Sequence, residues 1–350
     1  MTIQHALSAD GLAILALTAR SPGGRVGGRA SGSAGSLEHD GPNPLAPKDW
    51  ARVARALAAA GATPADLLGR ETADVAALLG GAPAAAEAIV RLAARATTLA
   101  LEGERLAGRG VWLVSIADGE YPVRLRDRLG ESAPPILYGA GAIELLNAGG
   151  VAIVGARDAD AEALAYAGAA AAAVVRSGRP VVSGGARGID AAAMNGAAEA
   201  GGSVVGALAD SLERRVRAAD VRALIGDERL VLVSPYGADV PFSVGNAMGR
   251  NRLIYCLADA ALVVSTSGGE GGTWAGATEA LKAGWVPVWV RAGEGVPAGN
   301  AALIGRGALA LESGPEGAGA LALTPAAYPE DPAHDVEQEQ VAEQRTLFGE

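Results

Sequence analysis

The sequence is poor in the side chains that build disulfides and metal sites. Its 350 residues include one cysteine, Cys256, and three histidines, His5, His39 and His334. A single cysteine excludes an internal disulfide and fits a reducing, cytoplasmic environment. The histidines all lie outside the predicted core, so neither a metal-ligand cluster nor a Ser–His pair can form there. We therefore expect no metal and no cofactor.

Long uncharged apolar runs are also missing. No such run reaches the ~20 residues that a membrane-spanning helix needs. The first residues, MTIQHALSADG, lack a basic segment followed by an apolar core, so no signal peptide is expected. These absences predict a cytoplasmic protein with no membrane partner.

Positive charge and aromatic side chains are scarce as well. The formal net charge is −10 and aromatic residues make up 4% of the chain. This balance argues against a protein that coats nucleic acid through bulk charge, and it leaves few rings for base stacking. Because many acidic residues lie in the tail between 330 and 343, the rest of the chain is less acidic than the total implies. Any nucleic-acid site must therefore be a local basic patch.

What is present divides the chain into three parts. Residues 1–107 have helical apolar spacing and predict a small all-helical domain, interrupted by a flexible insertion over 21–47 that is rich in glycine, serine and proline. Residues 108–312 form a second domain, in which strand and helix patterns alternate. From 313 to 350 the chain is rich in glycine, proline and acid, which predicts a disordered tail up to about residue 340.

The second domain has the pattern of a Rossmann-like, doubly wound α/β fold. A strand-like VWLVSI segment at 111–116 is followed by an extended, turn-rich bridge. The predicted strands then cover 151–154, 181–183, 203–208, 230–234, 261–265 and 286–290. The predicted helices cover 161–176, 190–200, 214–224, 245–257 and 274–283. Apolar strands alternating with helices indicate a parallel sheet, with ligands bound at the carboxyl ends of its strands.

The stretch PVVSGGARGID, residues 180–190, has the pattern of an anion site. A β-branched strand end is followed by a glycine turn and the start of an alanine-rich helix. Glycines let the backbone approach a phosphate, and the free N–H groups of a helix start point toward it. Arg187 adds a positive charge inside the turn. The alternative is a tight connection that needs glycine only for steric reasons.

Two further loops are predicted to meet this turn at the same sheet edge. GARD after the first strand offers Gly155 and Arg157, and STSGGEGGTW after the fifth offers Gly271, Gly272 and Thr273. GRNRLIY places Arg250, Asn251 and Arg252 at the start of an apolar helix. Two arginines close together at a helix start usually mark only a solvent-exposed face of the helix, which is the alternative to a ligand site. Four arginines with three glycine-rich turns on one edge favour a polyanion or nucleotide site.

Five motifs in this order resemble the DNA-processing protein A (DprA, also called Smf) family. They are YPVRL…APPILYGAG, VAIVGAR, VVSGGARGIDAAA, GRNRLI and GNAALIGRGA, and they span roughly 110–310. The resemblance implies a Rossmann-like domain of the wider nucleotide-sensing superfamily that binds single-stranded DNA, dimerises and helps load the RecA recombinase during natural transformation. It implies no catalytic activity.

The resemblance also assigns candidate DNA- and phosphate-binding residues. The positions that match family motifs are Arg157, Ser183, Gly184, Arg187, Gly188, Asp190, Arg250, Asn251 and Arg252. The motif loops add Gly155, Gly185, Gly271, Gly272 and Thr273. The arginines and the glycine backbone are expected to contact phosphates, whereas Asp190 is expected to hold the loop or cap its helix.

Departures from the family pattern leave two other functions open. Met194 stands where the family has histidine, an arginine-rich helix replaces an expected Tyr-Pro, and no winged-helix domain follows. The GGEGGT loop resembles that of cytokinin-activating phosphoribohydrolases, but Gly276 occupies the place of their glutamate and Glu279 lies a turn later. A nucleotide-ligand sensor and a phosphoribohydrolase are therefore the alternatives to a DNA-binding protein.

The chain ends in a second candidate interaction motif. QRTLF resembles the Q-x-x-L-F peptide that bacterial proteins of DNA metabolism insert into the replication sliding clamp. Gln344 would make the polar contact, and Leu347 and Phe348 would fill an apolar pocket. The alternative is a tail end that packs on its own domain.

Overall fold

The computed structural model describes residues 7–20, 43–81 and 83–323. The chain divides into two compact units. The first comprises residues up to Tyr121 together with Glu131–Leu137. The second comprises Pro122–Gly130 and the chain from Tyr138 onward. The predictions made for His5, His39, His334, Gln344, Leu347 and Phe348 lie outside the described residues, as does most of the insertion over 21–47.

The first unit is built from helices around one apolar helix. Its helices are α1 (Ala9–Thr18), α2 (Pro47–Ala59), α3 (Thr72–Leu78), α4 (Pro83–Ala93) and α5 (Ala96–Ala107), with a 3₁₀ turn at Pro64–Leu67. Strand β1 (Trp112–Ser115) follows. The Oγ of Ser8 caps α1 by accepting a hydrogen bond from Gly11 N at 3.0 Å. Ile14 and Leu17 of α1 are fully buried, which makes this helix the core of the unit.

The second unit alternates strands and helices. Its strands are β2 (Ile136–Gly141, begun in the first unit), β3 (Val151–Gly155), β4 (Val181–Ser183), β5 (Val204–Ala207), β6 (Leu230–Ser234), β7 (Ala260–Ser265), β8 (Val288–Arg291) and β9 (Leu309–Leu311). Its helices are α6 (Val123–Leu129), α7 (Ala161–Arg176), α8 (Ile189–Glu199), α9 (Leu212–Val216), α10 (Ala219–Gly226), α11 (Val244–Leu257), α12 (Gly272–Ala283) and α13 (Ala298–Ile304).

The strands of this unit form one sheet of order β2-β6-β5-β4-β3-β7-β8-β9, and β1 is hydrogen-bonded to β2. In this spatial order, every neighbouring pair from β6 across to β9 is parallel, whereas β2 pairs with β6 in the antiparallel direction. Every residue of β3, β4 and β7 is buried, as helices on both faces of a parallel sheet require. The prediction of a Rossmann-like α/β fold with N-terminal helices is confirmed.

Small residues let α7 and α8 approach each other closely. A Cβ placed on Gly196 would lie 2.6 Å from Gly168 O, so the two backbones meet with no side chain between them. Alanines occupy most of the surrounding positions on α7, including the buried Ala167, Ala170 and Ala171. The many alanines and glycines of the sequence thus allow α7 and α8 to pack closely together.

The structure corrects four sequence-based assignments. The extended bridge contains β2, and β9 was not foreseen. The single helix predicted over 214–224 is two helices, α9 and α10, separated at Arg217–Ala218. The start of the predicted disordered tail is ordered, because Pro315–Leu323 form a 3₁₀ helix that packs on α7.

One carboxylate ties the amino edge of the sheet together. Asp259, immediately before β7, accepts hydrogen bonds from Arg124 and Arg179. Its Oδ2 also accepts from Gly150 N at 2.7 Å, and its own N–H donates to Gly150 O at 2.8 Å. Asp259 therefore fastens the start of β7 to the start of β3.

Within the described residues, no single helix is both long and apolar enough to cross a bilayer. The segments Thr72–Leu78 and Pro83–Ala107, the second of which covers α4 and α5, reach that length and hydropathy only as a pair, with a bend of 115° between them.

Candidate nucleic-acid interface

The candidate site lies where the strand order reverses. Strand β3 pairs with β4 on one side and with β7 on the other, so the loops after these three strands meet at one carboxyl edge. A cavity of about 690 Å³ opens there. Its walls come from the β3 loop, from α11 and the segment before it, and from the loop between β7 and α12.

The turn after β4 encloses the carboxylate of Asp190. This side chain is 6% exposed, and the backbone N–H groups of Gly155, Gly184 and Ala186 stabilise its charge. Burial nevertheless raises the pKa of Asp190 to about 6, and the charge of Arg250 offsets part of that rise. The N–H groups of this turn are thus directed to an internal anion. This agrees with the expectation that Asp190 holds the loop.

The buried side chain of Arg250 holds the same turn by hydrogen bonds. It is 4% exposed, and its Nη1 donates hydrogen bonds to Gly184 O and, at 2.7 Å, to Ala207 O. A Cβ on Gly184 would overlap this guanidinium and lie 2.5 Å from Asp190 Oδ2, so glycine is required there. Burial lowers the pKa of Arg250, and Asp190 counters that shift. Arg250 therefore holds the turn, and the phosphate contact predicted for it stays a prediction.

Ser183 and Gly188 attach the turn to the β3 loop. The buried hydroxyl of Ser183 donates to Ile153 O at 2.7 Å. Gly188 has a φ of +81°, and a Cβ there would overlap the carbonyl oxygen of Ala156. Ile189 N donates to that same oxygen at 3.2 Å. These contacts hold the turn and the β3 loop together.

The loop before α12 has exposed backbone at Gly271 and Gly272. Its glycine N-cap, Gly271, has a φ of +87° and provides no side-chain cap, so the N–H groups of the first helical turn have no intrahelical partner. The loop is anchored because Thr273 Oγ1 donates to Gly155 O and Asn251 Nδ2 donates to Gly272 O, both at 3.0 Å. A helix start of this kind attracts anions.

Asn300 braces this loop from inside the protein. It is fully buried, and its Oδ1 accepts from Thr266 N at 3.0 Å. Its Nδ2 donates to Val264 O at 3.0 Å and to Arg291 O at 2.9 Å. The motif GNAALIGRGA was recognised only by its resemblance to the family, and this role of Asn300 was not predicted. The signal in the sequence is an asparagine inside this motif, because a side-chain amide that becomes buried needs hydrogen-bond partners for its oxygen and its nitrogen.

The three remaining arginines differ in their partners. Arg157 is exposed, lines the cavity and has no carboxylate partner among the described residues. Arg187 pairs with Asp158 at 2.8 Å, and both side chains are largely exposed. Arg252 pairs with Glu279 at 2.7 Å and lines an adjoining cavity of about 140 Å³. Arg157 is thus the cation most available to a ligand.

The structure brings eight of the predicted residues together around the large cavity. They are Gly155, Arg157, Asp190, Arg250, Asn251, Gly271, Gly272 and Thr273. The others, Ser183, Gly184, Gly185, Arg187, Gly188 and Arg252, do not line it. The cavity also has walls that the sequence analysis did not name, chiefly Phe242, Met248 and Thr266.

No group of three or more histidine, cysteine, aspartate or glutamate side chains that could hold a metal ion occurs in the part of the chain that the structure describes. Cys256 is buried, and burial raises the pKa of its thiol. The absence of a metal remains an expectation.

A parallel sheet with glycine-rich loops and a cavity at its switch point defines a Rossmann-like ligand-binding domain. Residues 112–317, more than half of the chain, match the family model of DNA recombination-mediator protein A. The chain belongs to this family, and the resemblance inferred from its motifs is confirmed.

Two solved structures are similar to this chain, and the first of them supports the fold. DNA processing protein A from Streptococcus pneumoniae is 21% identical, with a TM-score of 0.58 over 78% of this chain and 97% of that one. DNA processing protein A from Helicobacter pylori, described for its single-stranded DNA binding mode, is 23% identical, with a TM-score of 0.48 over 57% of this chain and 90% of that one. No curated protein matches the chain.

Proposed function

We propose that this protein binds single-stranded DNA without catalysing a reaction and acts in DNA uptake or recombination. The observation that carries the proposal is Arg157, a cation without a carboxylate partner in the described chain, which lines the same cavity as the start of α12. Its guanidinium and the N–H groups of Gly272 and Thr273 provide two kinds of phosphate donor. Membership of the DNA recombination-mediator protein A family supports DNA as the source of the phosphates.

The acidic residues at this edge are compatible with an anionic ligand. Asp158 is bound by Arg187, and Asp190 is surrounded by backbone N–H groups beside Arg250. Glu270, at the tip of the loop before α12, is exposed to solvent, which screens its charge. The exposed Arg187–Asp158 pair can open at little cost, since ion pairs of this kind contribute about 0–1 kcal/mol. A phosphate can therefore recruit Arg187.

Salt dependence tests the phosphate contacts. Replacing Arg157 with alanine is expected to weaken binding to an oligothymidylate and to lower the slope of log K against log salt by ~0.7, because one phosphate contact is lost. Fluorescence anisotropy at several salt concentrations measures both quantities. Arg176→Ala is the matched control, since the last residue of α7 lies at the opposite, amino edge of the sheet and its partner is Glu316. An unchanged slope for Arg157→Ala and Arg187→Ala together would reject phosphate neutralisation.

The phosphoribohydrolase alternative is disfavoured by the position of Glu279. This carboxylate pairs with Arg252 and lines the smaller cavity. The position that corresponds to the enzymes' glutamate is Gly276, where an added Cβ would lie 3.1 Å from the ring of Tyr255. We therefore expect no release of free base from a nucleoside monophosphate by the wild type or by Glu279→Gln, as followed by chromatography. Release that Glu279→Gln abolishes would make the protein a hydrolase.

A nucleotide-ligand sensor is the second candidate, because the cavity volume of about 690 Å³ falls in the range of roughly 300–1,000 Å³ typical of small-molecule sites. Titration with single-stranded DNA, duplex and mononucleotides separates the two functions. Mononucleotide binding at micromolar concentration with no gain from a longer strand would favour the sensor.

The partners are proposed on the family resemblance. We propose that the protein forms a homodimer in the cytoplasm, protects single-stranded DNA and helps load the RecA recombinase. The C-terminal residues Gln344, Leu347 and Phe348, which lie outside the described residues, are proposed to bind the replication sliding clamp.

A further inference from the structure

The carboxyl edge of the sheet presents a cation beside exposed apolar side chains. Arg157 is exposed at the large cavity and has no carboxylate partner in the described chain. Phe242, Val244 and Met248 are 48%, 69% and 47% exposed and line the same cavity. We call these three side chains the apolar rim. A cation next to an exposed apolar patch indicates a surface that suits an acidic, partly apolar partner.

Arg157 and the apolar rim form one continuous surface. The guanidinium of Arg157 lies 5.1 Å from the centroid of the Phe242 ring, at cation–π distance. Val244 and Met248 are four residues apart on α11 and so share one face of that helix. A segment whose carboxylate pairs with Arg157 would therefore place its neighbouring residues against the rim.

One segment of this chain has the matching composition. Residues 330–343, which lie outside the described residues, have the sequence EDPAHDVEQEQVAE. They include six acidic side chains and neither lysine nor arginine, and Val336 and Val341 place apolar groups among the acids. A carboxylate offers a guanidinium two oxygens, as a phosphate does. The segment therefore has the charge of a short polyanion together with apolar groups for the rim.

The segment begins close enough to reach this edge. The described chain ends with Pro315–Leu323, which packs on α7, and Glu316 pairs with the last residue of that helix, Arg176. Helix α7 has 16 residues and is thus ~24 Å long, and it starts directly after the β3 loop that carries Arg157. Seven extended residues, the number that leads from Leu323 to Glu330, span ~24 Å as well.

We propose that residues 330–343 fold back onto the carboxyl edge of their own chain, with carboxylates on Arg157 and Arg187 and valines on the apolar rim. This proposal rests on the proposed function, because the segment then occupies the site proposed for phosphates and competes with single-stranded DNA. A tethered segment acts at an effective concentration of about 1 mM, so an intrinsic Kd of about 0.1 mM keeps the site occupied about ten times as often as free.

Neutralising the segment tests this competition. The variant carries an amide in place of each acid, through Glu330→Gln, Asp331→Asn, Asp335→Asn, Glu337→Gln, Glu339→Gln and Glu343→Gln. At about 0.1 M salt it is expected to bind an oligothymidylate about tenfold more tightly than wild type, because the site is no longer occupied. The difference should shrink as salt rises, since salt screens the ion pairs of the segment. Fluorescence anisotropy measures both effects.

A control with the same change of net charge separates competition from the overall charge of the protein. It neutralises six exposed acids of the described chain that line neither cavity, through Glu144→Gln, Glu199→Gln, Asp220→Asn, Asp227→Asn, Glu228→Gln and Glu312→Gln. Its affinity should stay within about twofold of wild type, because solvent-exposed charges away from the site are screened. A tenfold gain in this control would assign the effect to net charge and overturn the proposal.

A spin label locates the segment without any DNA. Gln340→Cys supplies a thiol for a nitroxide, since Cys256 is buried. The amide signals of Arg157 and Gly272 should broaden, whereas that of Glu199, the last residue of α8, should not. The broadening should disappear when an oligothymidylate is added. Unbroadened signals at the carboxyl edge would overturn the proposal.

The two measurements separate the failure of this proposal from the failure of the proposed function. DNA binding without broadening, and without a gain on neutralisation, would overturn the docking of the segment and leave DNA binding intact. Broadening at Arg157 with no DNA binding by wild type or by the neutralised variant would support the docking and overturn the proposed function. Broadening seen only between a spin-labelled copy and a separate isotope-labelled copy would assign the surface to the segment of a second molecule, which overturns folding back within one chain.

Discussion

Replacing Arg250 with methionine is expected to lower the free energy of unfolding by about 3–5 kcal/mol at neutral pH, because it leaves a buried carboxylate without its counter-charge. The same change leaves the carbonyl oxygens of Gly184 and Ala207 without the Nη1 donor. Since the turn after β4 is held by this guanidinium, we also expect weaker binding of single-stranded DNA. Methionine keeps much of the apolar stem, so the loss reports mainly on the charge and the hydrogen bonds.

The loss should depend on pH in a defined direction. Burial raises the pKa of Asp190 in the folded protein to about 6, above its ordinary value of 3.8, and Arg250 is the largest of the influences that keep it from rising further. In Arg250→Met the folded pKa is therefore higher still, and the folded variant retains a proton that wild type has released. Over the interval between the two folded pKa values, the variant loses stability relative to wild type as pH rises. The destabilisation should shrink when pH falls from about 8 to about 5.

Urea unfolding at several pH values measures this effect. The control is the Asp190→Asn background, in which the carboxylate is absent and the cost of Arg250→Met should become independent of pH. A loss of equal size across the pH range in the wild-type background would show that Arg250 acts only through its hydrogen bonds to Gly184 and Ala207.

Asn300→Ala is expected to destabilise the protein by on the order of 3 kcal/mol, because buried backbone groups lose a partner at about 1–3 kcal/mol each. The groups are Thr266 N–H and the carbonyls of Val264 and Arg291. Since Thr266 begins the loop that leads to Gly271 and Gly272, the change should also loosen the phosphate-binding segment. DNA affinity should therefore fall even where the variant remains folded.

Amide hydrogen exchange separates these two effects. In Asn300→Ala the Thr266 amide should exchange faster than the amides in the centre of β7, which report on global unfolding. Asn195→Ala is the matched control, since Asn195 is exposed on α8 and should change stability by no more than about 0.5 kcal/mol. Equal acceleration at Thr266 and in the strand centre would mean that Asn300 supports the whole domain and not the loop.

The periodicity of the sequence was sufficient for the parallel part of the sheet. Strands β3, β4, β6 and β7 are continuous buried runs between helices, and a parallel sheet covered on both faces produces that pattern. Strand β2 was missed because ILYGAG contains two glycines and follows two prolines, so its local pattern indicates turns. Its pairing with β6 is a tertiary contact that no local pattern encodes.

The sequence was sufficient to predict the loops of the site but not the different roles of its arginines. Arg157 and Arg250 both occur in motifs with glycine, and sequence alone treats them alike. Only the structure shows that Arg157 is exposed at the cavity while Arg250 is buried beneath a turn. Burial depends on how α11 packs against β4 and β5, which is a property of the assembled sheet. Phe242 was missed for the same reason, because exposure of an apolar ring cannot be read from its neighbours in sequence.

The position of β3 in the sheet has a consequence for how the chain assembles. Val151 of β3 pairs with Val181 on one side and with Ala260 on the other. Val181 is synthesised soon after Val151, whereas Ala260 is synthesised much later. During synthesis from the N-terminus, one edge of this apolar strand therefore stays open until β7 emerges, and an open apolar edge is a template for pairing with another chain. Asp259, which fastens β7 to Gly150, is the residue at which that edge closes. The nascent protein is consequently most prone to aggregate while the segment between β3 and β7 is being made.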